Sequence, residues 1–197
     1  VISGGQENMS LAPHSIFYRD NKKISEKHLV DTMINDGLVD AFNNYHMGVT
    51  AENVAKKFNI SRSDQDDFAL NSQKKTEIAI STNRFEEELI KINQPGIKLD
   101  IDEHPRKKLI KSDLEKLKAV FLKDGTVTPG NSSGINDGAA ALLLMTLEEA
   151  EKKSIQPLAK IISWASVGVD PTLMGLGPIE AVREAVKKAK WTLNDID

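Results

Sequence analysis

The spacing of apolar residues shifts several times along the chain, and each shift marks an element. Val1-Ile2-Ser3-Gly4-Gly5 is a short apolar run into a glycine turn, the pattern of a buried strand's end. Residues 6–24 are polar and irregular, with Pro13, Asn21 and two lysines. Ser25 is placed to cap a helix reaching about Asn35, with Leu29, Met33 and Ile34 on one face and Asp36-Gly37 as its stop. Thr50 is placed to cap a second helix whose apolar stripe is Ala51, Val54, Ala55 and Phe58. Ser63 opens a third, longer one, with Asp64 and Asp66 near its positive end. Phe68, Ser72, Lys75, Thr76 and Ala79 share one side of it. Residues 88–92 and 97–101 alternate with period two and predict short strands solvated on one face. A basic loop follows over 104–111, and Ser112 begins a short helical stretch ending near Phe121.

Residues 125–138 are rich in Gly, Ser, Thr and Asn, with Pro129, and predict a structured loop. The continuous apolar run 139–145 predicts a strand covered on both faces, and 158–169 reads as another. Between them, Thr146-Leu147-Glu148-Glu149 has the form of a capping box and opens a helix to about Lys153. Pro178 suits the first turn of the last helix, whose apolar face is Ile179, Val182, Ala185, Val186 and Ala189. Both ends of the chain alternate strand and helix in an α/β manner, while the middle is helical and loop-rich. That predicts a subdomain inserted between pieces of a sheet-containing domain.

Composition narrows the picture. The 197 residues carry 28% charged side chains and a net charge of -3. No basic surplus points to nucleic acid and no acidic one to disorder. The longest apolar run is far shorter than the roughly 20 residues that cross a bilayer, so no membrane span is expected. A soluble, cytoplasmic protein is the expectation. There is no cysteine, so the segment has no disulfide, thiolate metal site or thiol nucleophile. The apolar run at Val1 reads as a cut strand, and the helix signal from Thr192 to Asp195 as a helix begun and left. Both ends predict a piece of a longer polypeptide.

Spacing alone gives no catalytic set: CxxC, HExxH, the Walker loop and GxSxG are all missing. Two segments remain. In Tyr45-His46-Met47-Gly48-Val49-Thr50, a His and a flexible Met stand on a turn before a helix. They suit a pocket of mixed polarity, or equally a hydrogen-bonded turn with Met47 as a core plug. In 126–138, small residues allow a ligand close to the backbone, and Ser and Asn can donate to a carbonyl. A tight crossing between domains explains the same composition. Arg106-Lys107-Lys108 suits a phosphate, or is an ordinary solvated loop.

In order along the chain, Gly4-Gly5-Gln6-Glu7-Asn8-Met9-Ser10, Gly37-Leu38-Val39-Asp40-Ala41-Phe42 and His46-Met47-Gly48 with Thr50-Ala51-Glu52-Asn53-Val54-Ala55 resemble the thiolase family. So do Ser61-Arg62 with Asp64-Gln65-Asp66, Lys116-Leu117-Lys118 with Phe121 and Gly125-Thr126-Val127-Thr128, Asn136-Asp137-Gly138-Ala139-Ala140-Ala141, and Met174-Gly175-Leu176-Gly177-Pro178. The resemblance covers essentially the whole chain.

The resemblance implies an α/β thiolase fold, a five-layered αβαβα core with an inserted loop domain, only part of which lies here. On that pattern residues 1–8 end the N-terminal half, 9–135 are the CoA-binding loop domain, 136–155 finish the N-terminal half and 156–197 begin the C-terminal half. His before Met47-Gly48, with Gly134 and Asn136 after the serines, resembles the acetoacetyl-CoA-forming branch. The implied reaction is reversible Claisen condensation of two acetyl-CoA into acetoacetyl-CoA and CoA through an acyl-cysteine. In the family the catalytic Cys, Asn, His and second Cys fall outside this segment, so no catalytic residue and no metal is assigned. The thioesters are substrates and no cofactor is implied.

By position in the family, Leu38, His46 and Met47 line the pantetheine and acyl pocket. Ser133 bonds the pantetheine with Gly134 beside it, Phe121 forms an apolar wall, Met174 lies near the acyl group and Arg106 near the adenine and phosphate end. A homodimer or homotetramer is implied, although 13–24 lacks the glycine-rich stretch common in tetrameric members. Other readings are a CoA- or lipid-binding module without catalysis, and a degradative 3-ketoacyl-CoA thiolase.

Overall fold

The computed structural model describes residues 1–16 and 29–196. The described elements in chain order are β1 (Ile2–Asn8), β2 (His14–Ile16), β3 (Leu29–Asp31), a π-helical turn Met33–Leu38, β4 (Val39–Asp40), β5 (Tyr45–His46), α1 (Met47–Phe58) and α2 (Arg62–Ser81). There follow β6 (Ile92–Gln94), β7 (Ile97–Leu99), α3 (Lys111–Glu115), β8 (Asp137–Leu143), α4 (Leu147–Lys152), a 3-10 segment Pro171–Leu176, α5 (Gly177–Lys188) and a 3-10 turn Leu193–Asp195. They form two compact units, Val1–Ala51 with Ile135–Asp197, and Glu52–Gly134.

In the first unit β1 runs antiparallel to β8, with Ile2 opposite Leu143 and Asn8 opposite Asp137. Gly4 faces Ala141 across the ladder, where a Cβ would press into the Ala140 carbonyl oxygen. The small residues of both runs therefore allow the close pairing. Asp137 accepts the Ser10 N–H at 2.9 Å, which fastens the turn after β1 to the start of β8. That backbone bond, with help from the Ser10 side chain, lowers the Asp137 carboxyl below its ordinary value. β2 pairs with β3 and β4 with β5, both antiparallel. Thr146 caps α4 by accepting the Glu149 N–H, as the capping pattern predicts.

Several expectations are corrected. Of residues 139–145, 139–143 belong to strand β8 and 144–145 lie past its end; every residue of β8 is exposed, because β1 alone pairs with it among the described residues. Residues 158–169 form no strand: no described strand lies alongside to take up their backbone hydrogen bonds. They touch α5, where Ser163 donates to the Ala185 carbonyl at 2.7 Å and Lys188 to the Trp164 carbonyl at 3.0 Å. On α5, Ala185 and Val186 are half-buried, as is Ala189 just past its end, but Ile179 and Val182 face solvent. The Ser25 cap lies outside the described residues, and 33–38 form a π-helical turn instead of α-helix.

The second unit holds the second half of α1, all of α2, the β6–β7 hairpin, α3 and the loop to Gly134. Ser61, not Ser63, caps α2: its hydroxyl accepts the Asp64 N–H while Asp64 accepts the Ser61 N–H. Asp64 sits three residues after Ser61, the spacing a capping box needs. Of the two strands expected over 88–101, the second is present as β7. The first is displaced to Ile92–Gln94, because Pro95-Gly96 forms the turn, with Gly96 at φ +81. α3 stops at Glu115, short of Phe121. The core of this unit is Leu114, Val127, Thr128, Ala55, Glu52 and Asp66, so it is part polar. No described helix is long and apolar enough to cross a membrane.

Candidate functional site

In the first unit, Leu38, His46 and Met47 are brought together by one short hairpin. Val39 pairs with His46 and Asp40 with Tyr45. Asp40 shapes the connection: its carboxylate accepts the Asn43 N–H at 2.9 Å and the Asn43 side-chain amide at 2.6 Å, and its carbonyl accepts the Asn44 N–H at 2.8 Å. The Asn43 side chain is the main reason the Asp40 carboxyl lies below its ordinary value. Asn44 takes the left-handed conformation, φ 55, which a short polar side chain tolerates. Leu38 precedes Val39 and Met47 follows His46, so the two flank one paired position.

His46 then does what Thr50 was expected to do. It stands immediately before α1, and its Nδ1 accepts the Gly48 N–H at 3.0 Å. That N–H belongs to the first turn, where no backbone acceptor exists. The bond sets the neutral imidazole as the tautomer with its proton on Nε2. Thr50 sits inside the helix and donates its hydroxyl to the Met47 carbonyl at 2.5 Å. The expected stripe of α1 is only half correct: Ala55 is buried and Val54 half-buried, while Ala51 and Phe58 are exposed. Met174 is on the 3-10 segment Pro171–Leu176 and is 45% exposed.

In the second unit, the Gly125–Gly134 loop that carries Ser133 is clamped from two helices. Glu52 of α1, only 6% exposed, accepts the N–H of Thr126 and of Val127, each at 2.8 Å, and the Thr126 hydroxyl at 2.8 Å. A carboxylate with three donors meets the cost of its burial. From α2, Gln65 donates to the Thr126 hydroxyl at 2.8 Å. Asp66, 1% exposed, accepts from Asn131 at 3.0 Å and from Arg62 at 2.7 Å. Arg62 continues to the carbonyls of Leu114 at 2.7 Å and Leu117 at 3.0 Å. Asn131 closes the loop on itself, accepting the Thr128 N–H at 2.8 Å and donating to the Thr126 carbonyl at 3.0 Å. Gly130 is packed so closely that a Cβ would meet Leu114 Cδ2 at 2.5 Å and Leu117 Cδ1 at 2.6 Å. The result is a loop with many hydrogen bonds that leaves Ser133 exposed and Gly134 half-buried. Phe121, half-buried, is drawn beside this loop by its neighbour Val120, whose N–H donates to the Val127 carbonyl at 3.0 Å.

Arg106 is exposed on a loop held against the far half of α2. Gln73 accepts the Arg106 N–H at 2.9 Å, and Glu77 accepts the Lys108 N–H at 3.4 Å. Lys108 is left-handed, φ 57, which turns the loop back on itself. Between loop and helix lies a cleft of about 200 Å³ lined by Gln73, Glu77, Ile80, Ser81, Pro105, Arg106 and Lys107. Its lining is mostly apolar, with Arg106 and Lys107 as its cations and Glu77 as its one carboxylate.

Of the eight residues expected at a binding surface, Leu38, His46, Met47 and Met174 stand on the first unit, and Arg106, Phe121, Ser133 and Gly134 on the second. The two loops of the second unit are fixed by Glu52, Gln65, Asp66, Gln73 and Asn131, of which the sequence pattern points only to Asp66, and to it only as a charge near a helix start. The signal was present: Glu52 and Asp66 are carboxylates on otherwise packed helix faces, and Asn131 sits at a turn where an amide side chain can bond backbone both ways.

Known proteins resemble this chain in both sequence and fold. The model of the thiolase N-terminal domain matches residues 1–148, and that of the thiolase C-terminal domain residues 155–197. The chain is 50% identical over 201 residues to acetyl-CoA acetyltransferase of Rhizobium meliloti, covering 100% of itself and 51% of that relative. It is 48% identical over 203 residues to the cytosolic acetyl-CoA acetyltransferase of Rattus norvegicus, with coverage of 100% and 51%. Among solved structures, acetyl-CoA acetyltransferase of Bacillus anthracis superposes with a TM-score of 0.91 at 37% identity, over 100% of this chain and 51% of that one. Human mitochondrial 3-ketoacyl-CoA thiolase in complex with CoA does so with a TM-score of 0.90 at 36% identity, over 100% and 50%. The chain thus spans about half the length of the relatives it matches. With both domain models matching in sequence order, and the fold shared with solved thiolases, the chain belongs to the thiolase family.

Proposed function

We propose that this thiolase is an acetyl-CoA C-acetyltransferase, a cytoplasmic enzyme of lipid metabolism acting as a homodimer or homotetramer. The observation that carries the reading is the similarity, along the whole chain, to relatives named for that activity. A cysteine thiolate takes the acetyl group of one acetyl-CoA as CoA thiolate leaves. A second cysteine, as thiolate, takes a methyl proton from another acetyl-CoA, and the resulting enolate attacks the acyl-cysteine carbonyl. The cysteine sulfur leaves, and acetoacetyl-CoA is formed. The 197 residues contain no cysteine, so none of these bond changes is assigned to them. They supply binding. Arg106 meets the phosphates of CoA, and Ser133 donates to the pantetheine with Gly134 leaving it room. Phe121 forms an apolar wall. Leu38, His46 and Met47 line the pantetheine and acyl pocket, and Met174 approaches the acyl group.

His46→Asn separates binding from folding. Asn keeps an acceptor for the Gly48 N–H but lacks the Nε2–H group. In the active protein kcat/KM on acetoacetyl-CoA should fall about tenfold, roughly 1.4 kcal/mol, with melting unchanged. An unaltered kcat/KM would remove His46 from the pocket. Faster turnover of a medium-chain 3-ketoacyl-CoA than of acetoacetyl-CoA would favour a degradative thiolase, and CoA binding without turnover a binding module. The 197 residues by themselves should show no thiolysis of acetoacetyl-CoA, which a coupled optical assay would detect.

A further inference from the structure

One stripe of α2 touches both loops of the second unit. Gln65 and Asp66 fix the Gly125–Gly134 loop through Thr126 and Asn131, while Gln73 and Glu77 fix the Arg106 loop through its backbone. Asp66, Gln73 and Glu77 lie at i, i+7 and i+11, one face of a helix. Gln65 and Gln73 are eight residues apart, about 12 Å along the axis at 1.5 Å per residue. A continuous helix cannot shorten or stretch appreciably without breaking its own hydrogen bonds, so it fixes the distance between whatever the two loops bind.

We infer that α2 is a gauge that sets the separation between the phosphate-binding and pantetheine-binding loops, with Gln73 the positioning residue for Arg106 and Gln65 the positioning residue for the Ser133 loop. The ligand class it selects is a thioester carrier that bears both a nucleotide phosphate and a pantetheine arm. This rests on the assignment of Arg106 and Ser133 made above. The two side chains then have separable effects. Losing Gln73 frees the Arg106 backbone and touches only the nucleotide end. Losing Gln65 loosens the pantetheine loop and affects every ligand that carries that arm.

The test measures dissociation constants of CoA and of pantetheine, which lacks the nucleotide, by calorimetry on the protein as its own gene encodes it. The unaltered protein should prefer CoA, and Arg106→Ala should remove the preference. If the protein binds neither ligand, shows no preference, or keeps its preference in Arg106→Ala, the assignment of the site fails and the inference with it. Given a preference that depends on Arg106, Gln73→Met should weaken CoA about fivefold, as one lost hydrogen bond does, and leave pantetheine unchanged. Gln65→Met should weaken both ligands by a common factor. If Gln73→Met leaves CoA affinity unaltered, or weakens both ligands alike, α2 is structural only and the inference is overturned while the site stands. The unchanged pantetheine constant also reports that Gln73→Met is folded.

Discussion

Glu52 shows how a single side chain can decide the shape of a loop. Two backbone N–H groups and one hydroxyl converge on its carboxylate. Glu52→Ala leaves the Thr126 and Val127 donors without that acceptor in a buried place, and should cost about 3 kcal/mol. Glu52→Gln keeps one oxygen but points an amide at a donor, and should cost less. Urea denaturation midpoints would order the three proteins; equal midpoints would show that water replaces the carboxylate without penalty. Gly130→Ala tests the other side of the loop. Its Cβ would meet two leucine methyls at 2.5 and 2.6 Å, and Leu114 is only 2% exposed, with little room to move. Overpacking of this kind costs about 1–3 kcal/mol, readable in the same titration. At this scale the sequence made the loop visible as a cluster of small and polar residues, but not its partners. A buried carboxylate on a helix has the same letter as a solvated one, and only the convergence of donors distinguishes them.

Among the elements, α2 was the least legible and carries the most. Composition does not separate Ser61 from Ser63, two residues apart and both acceptable caps. The structure selects Ser61, since Asp64 then falls where a reciprocal bond can form. Its packed face is hard to read from sequence for a different reason. The half-buried and buried positions are Arg62, Gln65, Asp66, Ala69, Leu70, Gln73, Thr76, Glu77, Ala79 and Ile80, a stripe more polar than apolar, while Phe68 is 79% exposed. Hydrophobic periodicity finds a helix face only when that face is apolar, and here much of the packing is hydrogen bonding. Of the expected side, Thr76 and Ala79 are half-buried, whereas Phe68, Ser72 and Lys75 are exposed. Ser61→Ala should destabilise α2 by about 1 kcal/mol, seen as lower helical ellipticity and melting. The Asp64 carboxyl lies below its ordinary value of 3.8, chiefly through the Ser61 hydroxyl and then the Ser61 N–H. Its folded pKa being the lower one, the stability it adds is fully present above the ordinary value. It is lost as pH falls through the folded value. Asp64→Asn should therefore flatten the acid limb of a pH–melting curve, and an acid limb as steep as the parent's would rule the cap out as its source.

Across the whole molecule the two units differ in how their apolar surface is covered. The Glu52–Gly134 unit has its own core, and its polar loop network is internally complete: no buried side-chain polar atom among the described residues lacks a partner. In the other unit β1 and β8 are exposed at every residue. The run 139–145 was readable as a strand because of its unbroken apolarity. Its cover was not readable, since burial depends on what lies against a strand and the letters of the strand do not supply that. Leu142 and Leu143 are 64% and 61% exposed on β8, and Leu158 and Ile161 lie uncovered beyond it in the chain. Only β1 occupies an edge of β8 among the described residues, and the other edge offers unpaired backbone groups with no charged side chain from Gly138 to Leu143 to discourage pairing. A net charge of only -3 gives little repulsion between copies. The 197-residue chain should therefore self-associate at micromolar concentration through this sheet. Leu142→Lys places a charge on the exposed strand without disturbing a buried contact, and should shift the light-scattering mass toward that of a monomer. If the unaltered chain stays monomeric, or the lysine leaves its mass unchanged, the open edge of β8 is not the adhesive surface and the exposed segment over 158–169 becomes the place to look.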